Sequence, residues 1–262
     1  MNAAAETTRI PPSLGGVIVF ALRGWAANAS FYAVLAAAVF LIDAVAEYVL
    51  PTAAESTPQG QFKLWVLAYT GLFANAFVIA AVALGVAARG IGSNLAPRTL
   101  AGAATERWLP VIAVSFLVQA VFVLTAQFSG LISPPEPLVV VSISAPIVWL
   151  LWGITGLAGP FVALAQSRTA LTVLVGFGHA FTVSLRRDNF VRLCVLALIT
   201  VVPLAVELWL ENVLVERHVP RAYFWADIPL DVITLGPISA IQTAFALDFV
   251  RRLNPTPPEN AA

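Results

Sequence analysis

Six long apolar stretches constrain the fold of this chain more than any other feature of its sequence. Each is at least about 20 residues long, the length at which an α-helix crosses a hydrocarbon core of ~30 Å. In lipid the backbone has to satisfy its own hydrogen bonds, so such stretches are expected to be helices rather than loops or open strands. The stretches are Ala29 to Leu50, Leu64 to Ala88, Trp108 to Ile132, Leu138 to Ala165, Phe190 to Leu214 and Ile228 to Val250.

The composition agrees with an integral membrane protein. Hydrophobic residues make up 60% of the 262 residues and charged residues 11%, well below the ~25% charged fraction of soluble domains. Loops between six spans are too short for a second folded domain, so a single membrane domain over residues 1–262 is expected. The balanced net charge, with no basic run, argues against a nucleic-acid partner.

The basic residues are sorted onto alternate connections between the stretches. With the N-terminus assigned to the cytoplasm, all but Lys63, Arg217 and Arg221 fall on the cytoplasmic side. The positive-inside rule then places both termini in the cytoplasm. One Lys and one Met beside thirteen Arg favour a bacterial genome rich in G and C, so the expected location is a bacterial inner membrane. The cytoplasmic residues are Arg9, Arg23, Arg89, Arg98, Arg107, Arg168, Arg186, Arg187, Arg192, Arg251 and Arg252.

Amphipathic segments that carry arginine precede the odd-numbered stretches. One runs from Leu14 to Trp25 with Ser13 as its expected N-cap, one from Leu171 to Leu185, and a weaker one from Leu100 to Arg107. Two interpretations stay open. The segments lie in the membrane interface with arginine towards anionic headgroups, or they pack beneath the bundle as elbows between spans. The first interpretation makes lipid-surface contacts of Arg23, Arg107, Arg186 and Arg187.

An aromatic residue opens each odd-numbered stretch, and this spacing indicates an internal repeat. Phe31, Trp108 and Phe190 are separated by 77 and 82 residues. The approximate units are residues 10–90, 91–167 and 168–254. The expected fold is therefore an all-α integral membrane protein: six transmembrane helices as three hairpins, each preceded by an amphipathic interfacial helix, with both termini inside.

Prolines interrupt several of the apolar stretches. Pro146, Pro203 and Pro237 remove backbone donors and should bend their helices, and Gly159 with Pro160 should end or kink the fourth span. Broken helices line substrate sites in some transporters. Prolines are also common in membrane helices without that role, and this structural interpretation is preferred.

Acidic residues inside the spans are the main lead to a functional site. Two pairs are spaced i,i+4, so each pair shares a helix face, and one further acid enters the sixth span from the outer side. They are Asp43, Glu47, Glu207, Glu211 and Asp231. An intramembrane carboxylate needs a partner, water or a proton. The cluster is either a cation or proton site open to the outside, or a set of solvated acids with Asp43 paired to Arg217, Arg221 or Lys63.

The sequence contains no zinc-protease pattern, P-loop or nucleophile elbow. The two histidines, His179 and His218, fall on opposite sides of the membrane in this topology and cannot share a metal ion. We therefore expect no enzyme activity, no metal and no cofactor.

One segment resembles the membrane domain attached to some bacterial glycerophosphoryl diester phosphodiesterases and its stand-alone relatives of unknown function. It reads GPFVALAQSRTALTVLVGFGHAFTVSLRRDNFVRLCVLALITV, from Gly159 to Val201, and the closing FALDFVRRL is similar to that family's last span. The resemblance implies a six-span fold, and no residue of the phosphodiesterase catalytic site can be carried over. The matching positions are Ala180, Ser184, Arg187, Asn189, Phe190, Asp248 and Arg251, with Leu247 where the family often has an aromatic.

These features favour a non-catalytic inner-membrane protein that acts as an accessory, scaffold or lipid-organising component. Membrane lipids are the expected partners, together with another membrane protein or a second copy of the chain. The alternative is a small transporter or channel that uses the outer acidic residues.

Overall fold

The chain forms helices joined by short turns, with no strand among the described residues. The computed structural model describes residues 10–49, 57–128, 138–165, 169–218 and 222–253. A 3₁₀ turn, Arg187–Asn189, joins the seventh and eighth helices. The helices are α1 (Leu14–Ala26), α2 (Ala29–Val49), α3 (Pro58–Gly90), α4 (Pro97–Phe128), α5 (Leu138–Gly156), α6 (Ala158–Leu164), α7 (Ala170–Ser184), α8 (Phe190–Glu216) and α9 (Ala222–Leu253).

Local sequence signals explain where several helices begin and end. The expected N-cap at Ser13 is confirmed, since its hydroxyl accepts a hydrogen bond from the Gly16 N–H at 3.1 Å. Thr57 caps α3 in the same way. At the other end of α3, Gly92 adopts a φ of +77°, and the N–H of Ser93 bonds back to the Ala88 carbonyl. This left-handed turn, which favours glycine, reverses the chain into α4.

The second half of α9 forms the centre of the bundle. Every residue from Ser239 to Val250 except Gln242 is buried. Helices α1, α2, α3 and α8 pack against α9, and the short helix α6, buried from Ala158 to Ala163, packs against α3, α4 and α7. A helix that is buried on nearly all sides has to be surrounded by other elements in this way.

Within the described residues, three helices are long and apolar enough to cross a membrane. The apolar segments are Pro97–Val121, Ile147–Leu164, which includes the break between α5 and α6, and Ile233–Leu253, and they overlap the third, fourth and sixth expected spans. A fourth crossing results if Leu14–Ala26 and Ala29–Val39, which meet at a bend of 78°, count as one broken span. The structure thus has the character of an all-α membrane protein, with three or four spans in its described part where the sequence predicts six.

The expected interfacial helix at Leu100 to Arg107 is not a separate element. These residues form early turns of α4, which continues without a break through Pro110 to Phe128. Leu100 and Ala104 are fully buried. The prediction failed because Pro97 starts a helix that nothing in the following residues stops, since proline is tolerated in a first turn.

Helix α1 packs lengthwise against α9. Its start is fixed near the end of α9, because the Ile10 carbonyl accepts a hydrogen bond from Arg251. Its end meets the middle of α9, where a Cβ on Gly236 would lie 2.7 Å from the Trp25 indole nitrogen. The two helices therefore run antiparallel over ~20 Å, the length of α1. Of the two interpretations open for this segment, the structure supports packing against the bundle.

The expected interruption of the fourth span is confirmed at a slightly earlier position. Helix α5 ends at Gly156, and α6 begins at Ala158 after a break at Leu157. Pro160 then lies in the first turn of α6, where no backbone donor is lost. By contrast, α8 continues through Pro203 and α9 through Pro237.

Candidate functional site

The acidic residues predicted as a cation or proton site fall on three helices. Asp43 and Glu47 belong to α2, Glu207 and Glu211 to α8, and Asp231 to α9. Both α2 and α8 pack against α9. The side chains of all five lie outside the described part of the structure, so the cation site stays a prediction.

The described residues contain a different ionic cluster at the end of α9. The Asp248 side chain is 0% exposed, and three arginines surround it. Arg251 donates to one carboxylate oxygen at 2.5 Å, while Arg252 donates to the other at 3.1 Å. Arg192, at the start of α8, lies 3.0 Å from that second oxygen. A buried carboxylate needs such partners to offset its lost hydration, and here they come from two helices.

The same arginines hold the N-terminal segment through its backbone. Arg192 and Arg252 both donate to the Pro12 carbonyl, at 2.5 Å and 3.2 Å, and Arg251 donates to the carbonyl of Ile10. Ile10 itself is buried in the core. The first and last described residues of the chain therefore lie at the same end of the bundle.

This arginine cluster (Arg192, Arg251 and Arg252 around Asp248) carries two more positive than negative formal charges. Arg251 and Arg252 lie in the last turn of α9, where the negative end of the helix dipole favours cations. Arg192 lies in the first turn of α8, where the dipole disfavours a cation. The electrostatic environment of Arg192 is therefore more positive than that of Arg251 and Arg252.

A tight corner between α7 and α8 adjoins the arginine cluster. The Asn189 amide donates to the Val183 carbonyl at 2.9 Å and closes the corner. Ser184 and Asn189 are almost fully buried. Three buried polar atoms here have no hydrogen-bond partner among the described residues: Ser184 Oγ, Asn189 Oδ1 and Arg192 Nη1. The Arg192 atom keeps its charge contact with Asp248 but lacks hydrogen-bond geometry.

Helix α7 presents different residues to its two sides. Its packed side is formed by small residues such as Gly176 and Ala180, and a Cβ on Gly176 would lie 2.5 Å from Val162 of α6. Its outer side exposes Leu171, Leu174 and Val175. The sequence pattern assigned these three to one face together with Gly178, Phe181 and Leu185. The structure leaves Gly178 and Leu185 exposed as well, whereas Phe181 is half-buried and packs against the core.

The four arginines predicted to contact lipid occupy different environments. Arg23, Arg186 and Arg187 are exposed. Arg107 is half-buried, and its guanidinium donates to the Ala165 carbonyl that follows α6. Arg107 therefore ties α4 to α6, whereas the other three are free of the core.

His179 lies on α7 with its ring edge-on to Phe161, at a centroid separation of 5.1 Å. Burial lowers the pKa of His179 below its ordinary value, because the charged imidazolium loses hydration there. The described residues contain no group of three or more His, Cys, Asp or Glu side chains placed to hold a metal ion.

Sequence reasoning identified part of the arginine cluster and missed its assembly. Asp248 and Arg251 entered through the family resemblance, and Arg192 only through the count of cytoplasmic charges. The i,i+3 and i,i+4 spacing of Asp248 to Arg251 and Arg252 was a detectable signal of ion pairing. Nothing in the sequence links Arg192 to a residue 56 positions later.

Comparison of the chain with models of protein families, with characterised proteins and with solved structures finds no match to any of them. The resemblance to the membrane domain of glycerophosphoryl diester phosphodiesterases accordingly stays a prediction.

Proposed function

We propose that this protein is a non-catalytic component of a bacterial inner membrane that organises lipid or serves as an accessory or scaffold for other membrane proteins. In this proposal it has six spans in three hairpins, with both termini in the cytoplasm. The observation that carries the proposal is the outer side of α7, which is mostly apolar and is followed by two exposed arginines.

The exposure of this face is substantial. Leu171 is 67% exposed, Leu174 62% and Val175 59%, and Arg186 and Arg187 follow directly. In water such a stripe would be unfavourable, since burying each of these side chains is worth about 1.5–3 kcal/mol. If the exposed leucines lie among acyl chains, the arginines that follow α7 lie at the level of anionic headgroups. Both the apolar and the charged side chains are then in a favourable environment.

The contacts of the N-terminal segment support the proposed topology. Ile10 and Pro12 bond to Arg251 and Arg252, so the two ends of the described chain meet. An even number of crossings brings both ends to one side. The sorting of arginines in the sequence then assigns that side to the cytoplasm.

Site-directed labelling tests the placement of α7. Because Cys194 is the only cysteine, a Cys194→Ser background accepts single probes at Leu174→Cys and, as a matched control, at Asn94→Cys in the turn between α3 and α4. In vesicles, the probe at position 174 should be quenched by brominated lipids, and the probe at 94 by aqueous iodide. Equal access of iodide to both positions would remove the supporting observation.

The accessory role has its own test. Purification in lipid discs should retain a second membrane protein, a second copy of the chain or a defined set of lipids. Solute transport by the purified protein alone in liposomes would contradict the proposal. If that transport were abolished by Asp43→Asn, the acidic residues would be its site.

A further inference from the structure

We propose that the corner between α7 and α8, together with the arginine cluster, binds a phosphate-ester anion. This inference rests on the proposed lipid-organising function and names the chemistry that the protein would recognise. The ligand is the headgroup of an anionic phospholipid, or free phosphate with the same oxygen atoms.

The arginine cluster holds more positive charge than Asp248 neutralises. Asp248 uses both carboxylate oxygens on Arg251 and Arg252, and Arg192 contacts the same carboxylate. One negative charge thus serves three guanidinium groups that are only 12–29% exposed. Like charges held this close repel one another and are poorly hydrated. Since Arg192 also lies at the positive end of α8, an anion placed there relieves both unfavourable terms.

The corner also contains buried polar atoms without a hydrogen bond. Ser184 Oγ is able to donate and is buried without a hydrogen-bond partner among the described residues, while Arg192 Nη1 has a charge contact with Asp248 but no hydrogen bond. The bond from Asn189 to Val183 holds Ser184 in the same turn as Asn189. Arg192 follows Asn189 by one helical turn, so all three residues belong to the connection between α7 and α8. Leaving such groups unpaired costs about 1–3 kcal/mol each, and a buried acceptor removes that cost.

The donors and acceptors of the corner match the chemistry of a phosphate ester. Phosphate oxygens accept from guanidinium groups and hydroxyls through charge-assisted hydrogen bonds. Asn189 Oδ1 is an acceptor, which calls for a donor on the ligand. A headgroup hydroxyl, as in phosphatidylglycerol, supplies one. The exposed Arg186 and Arg187 are next to the corner in sequence, at the end of the bundle proposed to face the cytoplasmic leaflet.

The test measures the thermal unfolding midpoint, Tm, of the purified full chain in mixed micelles. Phosphatidylglycerol, phosphatidylcholine and inorganic phosphate are titrated separately, because a ligand that binds only the folded state raises Tm with concentration. Phosphatidylglycerol should raise Tm saturably and phosphatidylcholine should not. A rise with inorganic phosphate as well identifies a site for the free anion, and a rise with the lipid alone identifies a headgroup site.

Two variants locate the binding. Ser184→Ala removes one unpartnered donor, and Arg252→Gln removes one positive charge. Each should weaken the apparent affinity about tenfold. The controls are Ser115→Ala, whose hydroxyl already bonds to the Val111 carbonyl, and Arg98→Gln, an exposed arginine on α4. If Arg252→Gln fails to fold, Ser184→Ala alone decides.

The proposal is wrong if the wild-type protein shows no shift with either phosphatidylglycerol or phosphate, or if Ser184→Ala binds as tightly as Ser115→Ala. Failure of the proposed function has a separate signature, solute transport in liposomes, which this titration does not measure. The two failures are therefore distinguishable.

Discussion

Arg192 at the start of α8 lies 3.0 Å from Asp248 near the end of α9. This pair joins two helices whose contact residues are 56 positions apart in the chain. Because Arg192 also bonds to the Pro12 carbonyl, a single guanidinium connects α8, α9 and the segment that leads into α1. The end of the bundle is thus fixed by charge as well as by apolar packing.

Replacing Asp248 with Asn should destabilise the protein strongly. The change leaves three arginines without their buried counter-charge, and breaking a buried ion pair by removing one partner costs about 3–5 kcal/mol. Denaturant or thermal unfolding in detergent measures the loss. The matched control is Asp188→Asn, since Asp188 is exposed on the 3₁₀ turn, and a surface change of this kind should stay within about 0.5 kcal/mol.

A double-mutant cycle tests whether Arg192 acts through Asp248. Arg192→Gln combined with Asp248→Asn should cost less than the sum of the single changes, because in the Asp248→Asn background the Arg192 change removes a cation that has already lost its counter-charge. Strictly additive losses would show that the 3.0 Å contact carries no coupling.

The sequence was sufficient to predict the helical membrane class and the start of α1. Hydrophobic length is a local property, and Ser13 has its capping partner three residues away. The packing of α1 along α9 was not predictable, because it depends on contacts such as Trp25 with Gly236. The amphipathic pattern of α1 fits a lipid surface as well as it fits a second helix, and only tertiary structure distinguishes them.

The arginine cluster, too, was only partly predictable from the sequence. Asp248 pairs with Arg251 and Arg252 at i,i+3 and i,i+4 spacing, which can be read directly from the sequence. The addition of Arg192 and the two carbonyls requires three separate parts of the chain to meet. The break at Leu157 was predicted only approximately. Gly159 and Pro160 indicate that the helix is interrupted nearby, but they do not determine the residue at which it ends.

Gly176 should not tolerate a larger residue, because α7 approaches α6 closely there. A Cβ at this position would meet Val162 at 2.5 Å, and Val162 is fully buried. Gly176→Ala should therefore cost about 1–3 kcal/mol, the usual range for overpacking. Gly178→Ala is the matched control on the same helix, since a Cβ there meets nothing within 4 Å. This control should be neutral or stabilising by up to ~1 kcal/mol, since alanine favours helix.

Unfolding midpoints of the two glycine variants provide the measurement. Adding Val162→Ala to Gly176→Ala should recover part of the loss, because the clashing methyl group is removed. Equal midpoints for Gly176→Ala and Gly178→Ala would contradict the close packing of α6 against α7.

His179 should make stability depend on pH in the acidic range. Its pKa is lowered in the folded protein by burial, so the unfolded chain binds a proton more readily than the folded one. The stabilising contribution is present above the unfolded pKa of ~6.5 and is lost as the pH falls from there through the folded value. His179→Gln should flatten this part of the stability profile, whereas His218→Gln, at an exposed position, should keep it. An unchanged profile in His179→Gln would assign the dependence to other groups.

The two sides of α1 should respond differently to a polar substitution. Val17 is 0% exposed against the bundle, while Val19 is 47% exposed on the opposite side. Val17→Asn places an amide in an apolar contact and should cost about 2 kcal/mol or more, since a buried polar group without a partner is penalised by about 1–3 kcal/mol in addition to the lost apolar burial. Val19→Asn should cost clearly less, because its side chain can reach the surroundings of the bundle.

Limited proteolysis of the N-terminal segment, together with the unfolding midpoint, compares the two variants. Faster cleavage in Val17→Asn alone is expected, since α1 is held to α9 through that face. Equal cleavage in both variants would mean that the bonds from Arg192, Arg251 and Arg252 hold the segment without help from α1 packing.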